Sequence, residues 1–240
     1  MACFDHLVVG IRALDEGIDQ FEQLLGVKPA VGGQHPGRGT ENALVSLGPG
    51  AYLEILAPQR DAALSFADAE LYGLDRLTIV TWAVAVEDAF AAAAALNAAG
   101  FGTTPAKRGS RVTPARERLE WTVFKLAGDA ISMAPFFIQW GDSTPHPSGT
   151  APEGCVLERL VVREPEPDRL RALLDALDVA GVAVEGKCSH RSGDQVRDEN
   201  GGPGHSALSP RPIPPPIVPA SVPRIRIGTT GTSSASMSPL

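Results

Sequence analysis

Residues 35–58, HPGRGTENALVSLGPGAYLEILAP, decide how the chain folds. The glycine-rich residues 35–39 predict a loop, and the apolar runs 42–47 and 52–56 predict two strands. The tripeptide Gly-Pro-Gly at 48–50 lies between the two runs, and turn-forming residues in that place are typical of a β-hairpin. The sequence therefore predicts a loop followed by an antiparallel hairpin.

Glu54 is the unusual residue of the second predicted strand. Side chains alternate between the two faces of a strand, so Glu54 points the same way as Tyr52 and Leu56. Burying a carboxylate among apolar neighbours costs free energy unless the charge is paired. We therefore expect Glu54 to bind a ligand, to form an ion pair or to lie at an open mouth.

The elements around the hairpin repeat one order. A strand at 4–11 and an amphipathic helix at 14–25 precede it, and the helix ends before Gly26, a typical C-cap residue. The same order is predicted again downstream, with a strand, an alanine-rich helix and two further strands at 77–86, 88–99, 119–126 and 135–140. Two β-α-β-β units in tandem indicate an internal repeat. The alternative is a generic α+β sandwich with a coincidental order of elements.

A third unit begins near residue 155 and then breaks off. Residues 156–162 predict a strand and residues 168–177 a helix. From about residue 185 the chain is rich in Pro, Ser and Gly, with few apolar residues, which predicts disorder. Because the composition changes so abruptly, we hypothesise that this tail is translated in a shifted reading frame. A strand-like continuation in another frame of the gene would support that hypothesis.

Composition and charge narrow the range of functions. The 240-residue chain carries a net charge of −7, and its sequence pI is near 5.2, which argues against a nucleic-acid groove. No apolar run is long enough to span a bilayer, and the N-terminus lacks the features of a signal peptide. Three widely spaced cysteines favour neither a disulfide framework nor a CxxC metal site. These features predict a cytoplasmic protein without a nucleic-acid or membrane partner.

Three separated motifs give the chain a resemblance to a known family. They are FDHLVVG at 4–10, the stretch at 35–58 and PFFIQWGDSTPHPSG at 135–149. With them, residues 4–178 resemble the vicinal oxygen chelate superfamily, and most closely its glyoxalase-like domain proteins. The resemblance implies an α+β fold in which tandem βαβββ modules form a cupped half-barrel sheet. Together with the change in composition, it divides the chain into two modules at 1–58 and 76–142, a truncated third βα unit at 155–184 and a disordered tail at 185–240.

The resemblance also implies a divalent metal in the cup. In this superfamily the metal is commonly held by first-strand and last-strand residues of each module and polarises oxygens of the substrate. His6 and Glu54 match the ligands of the first module, and their chemistry suits Zn, Mn, Fe or Ni alike. The second module departs from the pattern, with Trp82 at the first-strand position and Phe137 or Gln139 in the last strand. His35 or His146 could supply a third ligand.

Five further residues are candidates for binding a small-molecule substrate, and each has a structural alternative. The candidates are His35, Asn42, Trp82, Arg111 and Trp140. His35 and Asn42 could instead organise the loop, the tryptophans could lie in the core, and Arg111 could belong to a solvated loop. His6 could be held by the neighbouring Asp5 in a purely structural role, and Glu54 could simply pair with Arg111.

The predicted function is that of a glyoxalase-like small-molecule enzyme. A metal at His6 and Glu54 would polarise substrate oxygens, or Glu54 would act as a general base without a metal. The choice among lyase, isomerase, epimerase and dioxygenase chemistry stays open, because the fold does not fix the reaction. The alternative function is that of a non-catalytic, resistance-type protein that binds a hydrophobic molecule in the same cup. Homodimer formation through edge strands is a further expectation from the resemblance.

Overall fold

The computed structural model describes residues 2–35, 37–60, 66–128, 131–186, 222–229 and 234–237. Its helices are α1 (Leu14–Leu25), α2 (Ala89–Ala98) and α3 (Pro167–Asp175), with two 3-10 helices at Phe66–Gly73 and Pro147–Gly149. Its strands are β1 (Cys3–Gly10), β2 (Ala30–His35), β3 (Thr40–Ser46), β4 (Tyr52–Pro58), β5 (Thr78–Ala85), β6 (Lys107–Val112), β7 (Arg118–Lys125), β8 (Phe136–Trp140), β9 (Cys155–Glu164), β10 (Val182–Gly186), β11 (Val222–Thr229) and β12 (Ser234–Met237).

Two βαβββ modules build one mixed sheet that curls into a nearly closed barrel. The strand order is β2-β3-β4-β1-β5-β8-β7-β6. At its centre β1 pairs in parallel with β4 and antiparallel with β5, which joins the two modules. The predicted hairpin is confirmed, because β3 and β4 pair antiparallel from Thr40–Pro58 to Ser46–Tyr52. The predicted α+β fold of tandem modules with a cupped sheet is therefore confirmed.

The two ends of the curved sheet meet at a seam between β2 and β6. A Cβ atom added at Gly33 of β2 would lie 2.8 Å from the backbone oxygen of Val112, and Gly33 has a φ of +138°. A residue with a side chain would be strained in that conformation and would also collide with the neighbouring strand. The side chain of Arg111 crosses the seam and donates to the backbone oxygen of Gly32. Glycine at position 33 thus allows the barrel to close.

The outer face of the sheet carries the hydrophobic core. Helix α1 buries its apolar side against the sheet through Leu14, Ile18, Phe21 and Leu25, and its C-cap Gly26 has a φ of +71°. Helix α2 begins at Asp88, whose carboxylate accepts hydrogen bonds from the backbone N–H groups of Phe90 and Ala91. Apolar residues of both modules and of the third unit belong to one continuous buried cluster.

Two parts of the fold differ from the sequence predictions. Strand β6 lies where the sequence predicted no strand. Strand β2 ends at His35, which is the first residue of the loop predicted at 35–39. The third unit forms a second sheet in the order β10-β9-β11-β12. Strands β11 and β12, together with the end of β10, fall within residues 185–240, which the composition predicted to be disordered. The rest of that segment, and with it most of that prediction, lies outside the described residues.

Candidate active site

The register between β1 and β4 places the two predicted first-module residues on the inner face of the barrel. His6 lies opposite Tyr52, and Val8 lies opposite Glu54. Because paired residues on neighbouring strands point to the same face, all four side chains face the interior, which we call the cup. Leu7 and Val9 alternate to the other face and join the core. The carboxylate at position 54 is therefore inside the cup, with only 9% of the residue exposed.

Glu54 lies between two imidazoles and an amide. Asn42 Nδ2 donates to Glu54 Oε1 over 2.6 Å. His35 Nε2 is 3.6 Å from the same oxygen, and His6 Nε2 is 3.7 Å from the other oxygen, Oε2. The structure thus brings together His6, His35, Asn42 and Glu54, four of the residues that the sequence predicted.

These contacts keep Glu54 ionised. Burial alone would raise the pKa of Glu54, but the nearby charges of His35 and His6 and the hydrogen bond from Asn42 more than offset it. Arg38 acts in the same direction, so the pKa of Glu54 lies below its ordinary value. At neutral pH the cup therefore contains a carboxylate that can accept a proton.

Asp5 holds two histidines, His6 on the first strand of the first module and His146, which follows the last strand of the second module. The pairing of β1 with β5 shifts between Phe4 and His6, which marks a β-bulge, and Asp5 is the extra residue. Asp5 Oδ1 is 2.5 Å from His6 Nδ1, and Oδ2 lies 3.1 Å from His146 Nε2. The indole N–H of Trp140 also donates to Oδ2, over 3.0 Å. Sequence reasoning gave Asp5 only a structural contact with His6, and the Asp-His pair at 5–6 was its sole signal.

The hydrogen bonds from the two histidines keep Asp5 charged, and they fix which ring nitrogen of each histidine carries the hydrogen toward Asp5. Burial opposes ionisation, but hydrogen bonds and charges from His146 and His6 hold the pKa of Asp5 well below its usual range. An ionised carboxylate can only accept hydrogen bonds, so His6 Nδ1 and His146 Nε2 carry the protons of those two contacts. His6 Nε2 then faces Glu54 with its lone pair or with a second proton.

Aromatic rings line the rest of the cup. Tyr52 stacks on His6 with ring centroids 4.4 Å apart, and Phe136 meets the His6 ring edge-on at 5.3 Å. Trp140 and Trp121 contact each other edge-to-face at 5.9 Å. Trp140, a candidate for substrate binding from the sequence, thus faces the cup, and so does Trp121, which was not predicted as a site residue.

Trp82 is not part of the cup, and the prediction that it binds substrate is wrong. It pairs with Leu7 in the β1–β5 register and therefore lies on the outer face of the sheet. Its side chain is fully buried in the main core, and its indole N–H donates to the backbone oxygen of Met133 over 2.9 Å. The strand containing Trp82 is apolar on both faces, so its sequence carried no signal for which face is inside.

Arg111 is buried in the barrel, and both structural alternatives for it are wrong. It lies on β6 and not in a solvated loop, with 4% of the residue exposed. Within the described residues no carboxylate lies within 4.0 Å of its guanidinium, so the alternative in which Glu54 simply pairs with Arg111 is wrong. Burial lowers the pKa of Arg111, while Glu54 and Tyr52 oppose that shift electrostatically. Glu54 and Tyr52 therefore influence the pKa of Arg111 electrostatically, although neither forms an ion pair with it.

Comparison with known proteins identifies the family. The sequence profile of the glyoxalase-like domain matches residues 4–177, most of the chain. The chain belongs to the glyoxalase-like domain family. This places it in the vicinal oxygen chelate superfamily. Among curated proteins, none matches the sequence significantly.

Solved structures share the fold of this glyoxalase-like protein at low sequence identity. A hypothetical protein from Staphylococcus aureus is 17% identical with a TM-score of 0.62, over 78% of this chain and 86% of that one. Methylmalonyl-CoA epimerase from Mycobacterium tuberculosis is 17% identical with a TM-score of 0.43, over 57% of this chain and 85% of its own. A variant of the Streptomyces coelicolor epimerase, in complex with 2-nitronate-propionyl-CoA, is 16% identical with a TM-score of 0.44, over 59% and 96%.

The donor atoms of the glyoxalase-like cup do not complete a metal centre. His6 is bonded to Asp5 through Nδ1, as metal-binding histidines often are, and its Nε2 faces Glu54. A catalytic zinc site usually has three protein ligands, yet His35 approaches the opposite oxygen of Glu54, and both ring nitrogens of His146 are engaged. In the described part of the chain no group of three or more His, Cys, Asp or Glu side chains could hold a metal ion. Its helices also include none long and apolar enough to cross a membrane.

Proposed function

We propose that this glyoxalase-like protein is a small-molecule enzyme in which Glu54 takes a proton from a carbon atom of the substrate. One observation carries the proposal: an ionised, almost fully buried carboxylate faces an aromatic cup. Because Glu54 is almost fully buried, its electrostatic interactions with a bound substrate would be stronger than in water. A carboxylate in such a place is suited to abstract a proton next to a carbonyl group, as isomerisation and epimerisation require.

The neighbours of Glu54 support this role. Asn42 orients the carboxylate through Oε1, which leaves Oε2 as the oxygen nearer to His6. His6 is fixed by Asp5 and can exchange a proton with Oε2 or with the substrate through Nε2. Glu54 can thus accept the proton, and His6 can receive it in turn, as a reversible proton transfer needs.

Hydrogen–deuterium exchange tests the proposal. Purified protein would be incubated in D2O with a panel of small 2-oxo acids, 2-methyl thioesters and ketones, and loss of the carbon-bound proton would be followed by NMR. We expect exchange by the wild type and a loss of about 10²- to 10⁴-fold in Glu54→Gln. Glu41→Gln is the matched control, because Glu41 is the neighbour of Asn42 on β3 and alternates to the other face. Equal exchange by Glu54→Gln and the wild type would contradict the proposal.

Metal content tests the same site independently. Because the described donors fall short of three ligands, we expect no stoichiometric Zn, Mn, Fe or Ni in the purified protein or in His6→Ala and Glu54→Ala. Elemental analysis of all three samples measures this. Near-stoichiometric metal in the wild type that is lost in both variants would show that His6 and Glu54 are ligands, and the metal-dependent mechanism would then replace the proposal.

A second candidate function is that of a non-catalytic small-molecule-binding protein. The aromatic wall formed by Tyr52, Trp121, Trp140 and Phe136 favours it, since such surfaces bind hydrophobic molecules without further chemistry. Saturable quenching of tryptophan fluorescence by a ligand that undergoes no exchange with wild-type protein would favour this function over the enzyme.

A further inference from the structure

Arg111 is a cation of the cup whose charge has no close partner among the described residues. Glu54 is matched by His6 and His35, and Asp5 by His6, His146 and Trp140. Arg111 donates one Nη1 hydrogen to the oxygen of Gly32, and no carboxylate of the described residues lies within 4.0 Å of it. A guanidinium has five N–H donors, so this contact uses only part of its capacity. A buried cation without a paired anion is costly, which favours an anionic partner from outside the chain.

The Arg111 nitrogens that do not contact Gly32 keep some exposure, although only 4% of the residue is exposed. The described residues include a single fully buried side-chain nitrogen or oxygen without a partner, Asn42 Oδ1. The remaining nitrogens of Arg111 are therefore not sealed inside the protein. The guanidinium lies at the β2–β6 seam, since a Cβ atom added at Gly33 would lie 3.4 Å from Arg111 Nη1.

An apolar surface lies beside this cation. Gly109 and Arg111 are two residues apart on β6 and share a face. A Cβ atom at Gly109 would lie 2.3 Å from Trp121 Nε1, so the indole ring lies directly over that glycine. The Trp121 ring contacts the Trp140 ring and also meets the His35 ring edge-on. A ligand bound to the guanidinium would therefore have indole surface next to it.

We propose that the substrate of this site is a small carboxylic acid and that Arg111 binds its carboxylate. A guanidinium pairs with a carboxylate through two parallel hydrogen bonds, and the apolar body of the acid lies against Trp121 and Trp140. This inference rests on the proposed function, because it names the substrate class of the same cup. In this arrangement Glu54 accepts the proton of the substrate, and Arg111 binds its carboxylate.

Binding of acids and of their neutral amides tests the inference on the full-length protein. Pyruvate, phenylacetate and 3-phenylpropionate would each be titrated beside the corresponding primary amide, with tryptophan fluorescence and calorimetry as readouts. We expect at least one acid to bind about tenfold or more tightly than its amide, because a charge-assisted pair is stronger than a neutral hydrogen bond. Arg111→Gln should abolish that preference, and Arg111→Lys should keep part of it. Arg118→Gln is the control, since Arg118 lies on the adjacent strand, is exposed and pairs with Glu120.

The following results would overturn the inference about Arg111 or the proposal about Glu54. Equal binding of acids and amides by the wild type, or an unchanged preference in Arg111→Gln, would overturn the inference. If Arg111→Gln does not fold because the seam opens, Arg111→Lys and the wild-type comparison still decide it. Glu54→Gln separates the two proposals, because it should bind the acid at least as well as the wild type while losing exchange. Acid preference without exchange in any protein would overturn only the catalytic proposal, and exchange without acid preference would overturn only the role of Arg111.

Discussion

Asp5 shows how one buried residue can set the chemistry of several others. Its carboxylate accepts from His6, His146 and Trp140, and each of these contacts depends on its negative charge. Asp5→Asn keeps the size of the side chain and removes the charge. Since a hydrogen bond to a charged group contributes about 1.5–3 kcal/mol, we expect the free energy of unfolding to fall by at least that amount. Urea denaturation measures it, with the exposed Asp142→Asn as the control. Equal stability of the two variants would show that Asp5 does not hold this cluster.

The lowered pKa values of Asp5 and Glu54 predict how stability depends on pH. A carboxylate with a lower pKa in the folded state than in the unfolded state stabilises the fold above its unfolded pKa. That contribution is lost as the pH falls from the ordinary values of 3.8 and 4.5 through the lower folded values. We therefore expect stability to decline steeply below about pH 4.5, and less steeply in Asp5→Asn and Glu54→Gln. Denaturation curves at a series of acidic pH values measure this, and an unchanged slope in both variants would contradict it.

At the scale of elements, the pairing of β6 with β7 shapes the aromatic wall. Gly109 leaves the space that the Trp121 indole occupies. Gly109→Ala should therefore displace Trp121 and alter the near-ultraviolet circular dichroism and fluorescence of the protein. Gly102→Ala is the matched control, because an added Cβ there meets only Ala127 at 3.8 Å, and neither glycine has a positive φ. Spectra of Gly109→Ala that match those of the control would show that the indole does not depend on this glycine.

The same element marks the limit of prediction from sequence. The hairpin and both module helices were predictable, because they follow from local turn residues and from the spacing of apolar residues. The meeting of His6 with Glu54 was implied only by the family resemblance. Strand β6, KRGSRV, is polar, and Arg111 is buried only because the barrel closes against β2. Trp82 was misplaced because its strand is apolar on both faces. The burial of Arg111 and the position of Trp82 depend on pairing between strands that are far apart in the sequence. The sequence of a single strand does not encode that pairing.

At the scale of the whole molecule, the third unit shares the core of the two modules. Leu160 on β9 is nearly fully buried in the same cluster as Leu7 and Phe21. Leu160→Ala should destabilise the protein by about 2–5 kcal/mol and keep a single unfolding transition, since the core is continuous. Val156→Ala on the same strand, at 40% exposure, should cost far less. Thermal unfolding followed at several wavelengths measures both. Separate transitions would mean that the third unit folds independently.

Pairing of two copies through edge strands stays a prediction, which light scattering would test.

The contact between Asp5 and His146 also joins parts of the site that are far apart in the sequence. These residues are 141 positions apart, and His146 follows the last strand of the second module. The hairpin that contains Glu54 forms from neighbouring residues and can precede almost everything else, whereas His6 acquires its full set of restraints only after both modules have docked. A nascent or partly assembled chain would thus hold a carboxylate without an oriented imidazole. In the proposed enzyme, the complete arrangement of Glu54 and His6 would therefore form only after both modules have docked.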